Sequence, residues 1–181
     1  MALKATVFRV HLAVADLSRH HYSHHELTLA RHPSETDERM MYRLVAFALH
    51  AHDDLEFTRG LSNDDEPDLW QKDLTGSVML WMELGQPDIK RARRACGLAR
   101  RVMVYTYDHR AAHQWWSQHG ADYARFANLG VCHLAPRDGP RLDSLVQRSM
   151  GLSATIQDDQ IWLADGEHAV ELERAVWQAP S

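Results

Sequence analysis

Apolar and polar residues alternate at period two near both ends of this chain, and recur at helical spacing in several segments between. In residues 4–15, Ala5, Val7, Leu12 and Val14 are interleaved with Lys4, Arg9 and His11. Tyr22, Leu27 and Leu29 continue the pattern over residues 22–30, and the polar run 16–21 joins the two segments. This alternation predicts an N-terminal β-hairpin. Pro33-Ser34-Glu35-Thr36-Asp37-Glu38 then predicts a helix start, with Ser34 as N-cap and acids in the first turn to complement the helix dipole. Met40, Met41, Leu44, Val45, Ala48 and Leu49 follow at helical spacing, to about His52.

Residues 55–61 read as a short strand, and 63–67 as an acidic loop. Two strand-like segments, 68–72 and 77–85, flank Asp73-Leu74-Thr75-Gly76, a turn-forming tetrad, and predict a second hairpin. A helix is expected from Pro87 to about Arg100, because proline suits the first helical position. An apolar strand at 102–107 follows, and the order strand, helix, strand predicts a parallel crossover. Beyond it the pattern gives a helix at 109–118, a strand at 125–134 and a helix at 140–150. Strand-like runs at 153–157, 161–163 and 169–177 return the tail to β structure. The expectation is one α/β domain of mixed α+β sheet over residues 1–181, with an N-terminal hairpin and a C-terminal β extension.

Composition narrows the class. The 181 residues are 45% hydrophobic and 25% charged, an ordinary globular balance. No stretch is apolar enough to span a bilayer. Met1-Ala2-Leu3-Lys4 leads into the first strand without the apolar core of a signal peptide, so a cytoplasmic protein with no membrane partner is expected. Cys96 and Cys132 lack any partner at metal-ligand spacing and read as reduced, packed residues. The net charge of −5 gives no overall attraction for nucleic acid. Residues 87–101 nonetheless carry Lys90, Arg91, Arg93, Arg94, Arg100 and Arg101 against the single acid Asp88. That helix is either a solvated face or a seat for a phosphate backbone.

The second hairpin carries the chemistry. With the turn at 73–76, Lys72 faces Ser77 and Asp68 faces Trp81. Met79, Trp81, Glu83 and Gly85 then share one face with Asp68, and Val78, Leu80, Met82 and Leu84 form the buried opposite face. Asp68 and Glu83 become diagonal neighbours, roughly 7–8 Å apart at the backbone. Two carboxylates at that spacing can share a Mg²⁺ or Mn²⁺ ion, which takes hard oxygen ligands. The competing reading has both acids solvated, or paired with arginine.

Pro67-Asp68-Leu69, a turn ending in Gly76, and Leu80-Trp81-Met82-Glu83-Leu84-Gly85 together resemble the signature of the PD-(D/E)XK nuclease superfamily. Longer blocks resemble the YaeQ family. They include Leu29-Ala30-Arg31-His32-Pro33-Ser34-Glu35-Thr36, Phe57-Thr58-Arg59-Gly60-Leu61, Phe126-Ala127-Asn128-Leu129 and Ala154-Thr155-Ile156-Gln157-Asp158. The resemblance implies a bacterial protein with a restriction-endonuclease-like core. It further implies Asp68 and Glu83 as metal ligands, and Glu38, on the preceding helix, as an auxiliary acid. The sequence departs from the superfamily at Gly85, where a lysine is expected. Lys90 or Gln86 is the candidate substitute.

Arg59, Arg91 and Arg94 are candidate substrate-binding residues, and Arg39 and Arg59 are also candidates to pair with the acids. The histidine-rich run His20-His21-Tyr22-Ser23-His24-His25 reads as a solvated turn, and Trp70, Trp81, Trp115 and Trp116 read as packing. Two functions compete. One is a divalent-metal-dependent nuclease or phosphodiesterase. The other is a non-catalytic nuclease-fold protein that binds protein or nucleic acid in a regulatory, transcription-related role. The sequence leaves the oligomeric state open, and a monomer is compatible with both.

Overall fold

One ten-stranded sheet organises the chain, in the order β2-β1-β8-β9-β10-β7-β6-β5-β4-β3. The structure is a computed structural model, and residues 4–59, 61 and 63–181 are described. Strands β1 (Thr6–Asp16) and β2 (His21–Arg31) form the expected N-terminal hairpin. Helix α1 (Asp37–Leu49) leads to β3 (Leu55–Phe57), β4 (Leu69–Lys72) and β5 (Val78–Leu84). The strand expected over 55–61 thus stops at Phe57, and Gly60 lies outside the described residues.

Helix α2 (Ile89–Leu98) connects β5 to β6 (Ala99–Thr106), and the two strands pair in parallel, as the pattern predicted. Asp88, not Pro87, borders this helix and caps it, accepting from the Arg91 N–H at 2.8 Å. Helix α3 (His109–Tyr123) outruns its expected end and leads to β7 (Leu129–Pro136), again parallel to its neighbour. Strands β8 (Ser149–Gln157), β9 (Gln160–Ala164) and β10 (Ala169–Gln178) form the antiparallel C-terminal extension.

The helix expected at 140–150 is not formed. A short 3₁₀ turn at Leu142–Leu145 stands in its place, followed directly by β8. Leu142 and Leu145 are buried at helical spacing, which explains the expectation. Strand β8 pairs with β1 in parallel, from Arg9↔Ser149 to Asp16↔Ile156, and that remote partner decides the local structure.

The sheet separates two cores. On one face, α1 is buried along its whole length from Met40 to Leu49. Its Phe47 meets both edge strands, with His25 of β2 edge-on at 5.0 Å and Phe57 of β3 stacked at 5.4 Å. The sheet therefore curls around α1. The other face is covered by α2 and α3, where Trp81, Ala92, Ala95, Val104, Tyr123 and Val131 pack together, with Trp115 and Trp116 partly buried against them. The tryptophans serve packing, as read from their spacing.

Candidate active site

The β4–β5 hairpin sets the site. Its register pairs Leu69↔Met82, Trp70↔Trp81 and Gln71↔Leu80, with an irregularity between Gln71 and Lys72. This differs by two residues from the pairing expected of a tetrad turn: the turn closes one residue tighter, with Asp73 N–H bonding the Ser77 carbonyl at 3.0 Å, and the irregularity between Gln71 and Lys72 adds the second. A slip of two leaves every side chain on its expected face. Asp68 stands one residue beyond this ladder, its N–H bonding the Met82 carbonyl at 3.0 Å, and its carboxylate lines the same cleft as Glu83. Leu80, Met82 and Leu84 enter the α1 core, and Trp81 and Glu83 point to the other face.

Both acids are buried, Asp68 to 3% exposure and Glu83 to 5%. Asp68 Oδ2 accepts from the Leu84 N–H at 2.8 Å, and Arg39 holds both carboxylate oxygens at 2.9 and 3.0 Å. Glu83 Oε1 accepts from Trp81 Nε1 at 2.7 Å and from Arg91 Nε at 2.8 Å. Its Oε2 carries no hydrogen bond among the described residues. Burial, and then the Asp68 charge, push the Glu83 carboxyl above its ordinary value. A cleft of about 250 Å³ opens over the pair, lined by Arg39, Asn63, Asp68, Glu83, Gln86 and Arg91 among others.

The structure brings some predicted residues together and leaves others out. Gln86 and Arg91 line the cleft with the two acids. Arg39 pairs with Asp68, as its place in the sequence suggested. Glu38 turns away and pairs with the exposed Arg141 at 3.1 Å. Lys90 is exposed on the first turn of α2, outside the cleft lining. Arg59 is exposed, and its backbone N–H reaches Glu66 Oε2 at 3.4 Å.

Arg91 and Arg94 are turned toward the acidic loop. Arg91 bonds the Asp64 and Glu66 carbonyls at 2.9 and 2.8 Å, and Arg94 meets the Asp65 carboxylate at 2.6 Å. The basic face of α2 is thus partly satisfied from within. Gly85 has φ +102°, a conformation that side-chain-bearing residues rarely adopt, while its N–H bonds the Tyr105 carbonyl at 2.9 Å. A side chain at this position would therefore be strained by the backbone, with no neighbour in its way.

Sequence reasoning missed Glu35 and Arg43. The cap of α1 is Thr36, which accepts from the Arg39 N–H at 3.1 Å, while Ser34 Oγ contacts His32 at 2.6 Å. Shifting the cap by two residues changes which acid faces inward. Glu35, 6% exposed, bonds Arg39 at 2.9 Å and Arg43 at 2.6 and 2.8 Å. An unbroken run of ion pairs, Arg43–Glu35–Arg39–Asp68, results beside the pair Glu83–Arg91. Two arginines four residues apart on an apolar helix were the available signal.

Comparison with known proteins places these features in context. The family model described as "YaeQ protein" matches residues 1–174. A Salmonella typhi protein named "Uncharacterized protein YaeQ" is 47% identical over 181 residues, covering 100% of both chains. Its namesake in Escherichia coli (strain K12) is 46% identical, also over 100% of both. The crystal structure of a YaeQ protein from Xanthomonas axonopodis pv. citri matches with TM-score 0.91 and 47% identity, over 97% of this chain and 99% of that one. A Pseudomonas syringae YaeQ structure matches at 0.88 and 30% identity, over 97% of each. No helix among the described residues is long and apolar enough to cross a membrane.

Proposed function

The chain belongs to the YaeQ family, and from its cleft we propose a divalent-metal-dependent nuclease or phosphodiesterase built on a variant of the PD-(D/E)XK core. The observation that carries this reading is the convergence of two buried carboxylates, Asp68 and Glu83, on one cleft, with Glu83 Oε2 free of hydrogen bonds among the described residues. The oxygen donor set fits Mg²⁺ or Mn²⁺. When bound, such an ion polarises a phosphoryl oxygen and lowers the pKa of its water.

The chain's own residues supply the rest. Arg39, oriented by Glu35, and Arg91, oriented by Glu83, place positive charge beside the cleft, where negative charge grows as a phosphodiester is attacked. Gln86 orients a water by hydrogen bonding but takes no proton from it. With Gly85 in the lysine position, no lysine lines the cleft among the described residues and the proton of an attacking water would pass to solvent, so slow turnover is expected.

A second reading is favoured by Gly85, by the exposed Lys90 and by the arginine pairs on both acids. It is a non-catalytic member of the fold that binds nucleic acid or protein in a regulatory role around transcription. The test is cleavage of single-stranded DNA, double-stranded DNA and RNA in Mg²⁺ or Mn²⁺ by wild type and by Asp68→Ala/Glu83→Ala. Cleavage by wild type and none by the variant supports the hydrolase. Wild type that binds the ion or the nucleic acid without cutting it transfers the case to the second reading.

A further inference from the structure

A second cluster lies at the ends of the parallel strands, on the face covered by α2 and α3. His109 and His113 stand one turn apart on α3, and His133 ends the β7 stretch paired with β6. Their ring nitrogens approach within 4.8 Å of one another. Ring centroids are 4.3 Å apart for His109–His113, 5.6 Å for His109–His133 and 5.2 Å for His113–His133.

His133 has the features of a prepared ligand. It is 2% exposed, and its Nε2 is buried with no hydrogen-bond partner among the described residues. Its Nδ1 lies 2.8 Å from Thr106 Oγ1, and that hydroxyl donates to the Cys132 carbonyl at 3.4 Å. In the tautomer whose Nδ1–H donates to the Thr106 hydroxyl oxygen, Nε2 presents a lone pair toward His109 and His113. Trp177 stacks on the His133 ring at 4.9 Å and 7°, which holds the ring plane. A buried imidazole nitrogen without a partner is costly unless something fills its lone pair.

The geometry points to a three-histidine site for Zn²⁺, or another borderline transition-metal ion, formed by His109, His113 and His133. Imidazole nitrogens suit such ions and not Mg²⁺. Bonds of about 2.1 Å at tetrahedral angles put ligand nitrogens about 3.4 Å apart, a short rotamer adjustment from the spacing found. Thr106 is a positioning residue that acts through His133. His109 and His113 are exposed, so the ion has access from solvent, and its fourth position faces water. This site is chemically distinct from the carboxylate cleft and stands whether or not the cleft hydrolyses anything.

The test is calorimetric titration of the purified full chain with Zn²⁺ alone, with cobalt(II) absorption as an independent report of tetrahedral nitrogen ligation. Wild type is expected to bind one ion per chain and to show the intense cobalt bands. His113→Ala, a change on an exposed helix position, is expected to lose at least about 100-fold in affinity, and Thr106→Val about 10–100-fold with its fold intact by circular dichroism. Asp68→Ala/Glu83→Ala and His21→Ala/His25→Ala are expected to bind as wild type. An affinity unchanged in His113→Ala overturns the assignment. So does loss in the hairpin-histidine or carboxylate variants, which would place the ion elsewhere.

Discussion

Arg91 donates its Nε to Glu83 Oε1 at 2.8 Å, while its two terminal nitrogens hold the carbonyls of Asp64 and Glu66 at 2.9 and 2.8 Å. One guanidinium thus ties the buried acid to the loop that walls the cleft. Arg91→Ala removes all three bonds at once. The expected result is faster proteolytic cutting and faster amide exchange at residues 63–67, with the sheet unaffected. Unchanged exchange in that loop would show that it is held by other means.

Glu83 is expected to lower stability at neutral pH. Its carboxyl is raised above the ordinary 4.5, by burial first and by Asp68 second. The folded state then binds this proton more tightly than the unfolded chain does. The penalty on the ionised group is full above the raised value and is relieved as pH falls through it toward 4.5. Glu83→Gln should therefore raise Tm at about pH 8, and its advantage should shrink in acid. A variant less stable than wild type at neutral pH would mean that the Arg91 and Trp81 bonds outweigh burial.

At Gly85 the backbone is the obstacle. A lysine there would carry its side chain at φ +102°, where strain costs about 1–3 kcal/mol. Gly85→Lys should destabilise the fold by that amount in denaturant titration. Full stability with gain of nuclease activity would show that the strand end relaxes without cost.

Glu35 and Arg43 form a fully buried pair, with two bonds at 2.6 and 2.8 Å and exposures of 6% and 1%. Removing one member of such a pair costs about 3–5 kcal/mol, because the other charge stays buried. Arg43→Met should show that loss, and Glu35→Gln should also loosen Arg39 and so weaken any ligand at Asp68. A neutral effect of Arg43→Met in chemical unfolding would contradict the pairing.

The legible parts of the fold were those decided locally. Alternation in β1, β2 and β5 and the turn at Gly76 gave both hairpins, and the acid pair fell on one face because a two-residue slip preserves side-chain parity. Less accessible were features set by distant partners. Periodicity could assign α1 one buried face, but only a sheet curling to meet both sides of Phe47 buries the whole of Met40–Leu49. Residues 149–150 belong to β8 because β1 pairs with them. The choice between Ser34 and Thr36 as cap, two good capping residues, decided whether Glu35 or Glu38 reached the interior. His109 and His113 at i, i+4 were visible as a spacing, but His133 joins them only once α3 packs on β7.

The central claim is that Asp68 and Glu83 together hold one divalent cation in the cleft, and calorimetric titration of Mg²⁺ and Mn²⁺ into wild type and Asp68→Ala/Glu83→Ala tests it most directly. One ion bound per wild-type chain at this site, lost in the double variant and retained in His113→Ala, is the predicted result. No binding to wild type, or equal binding to the double variant, would contradict it.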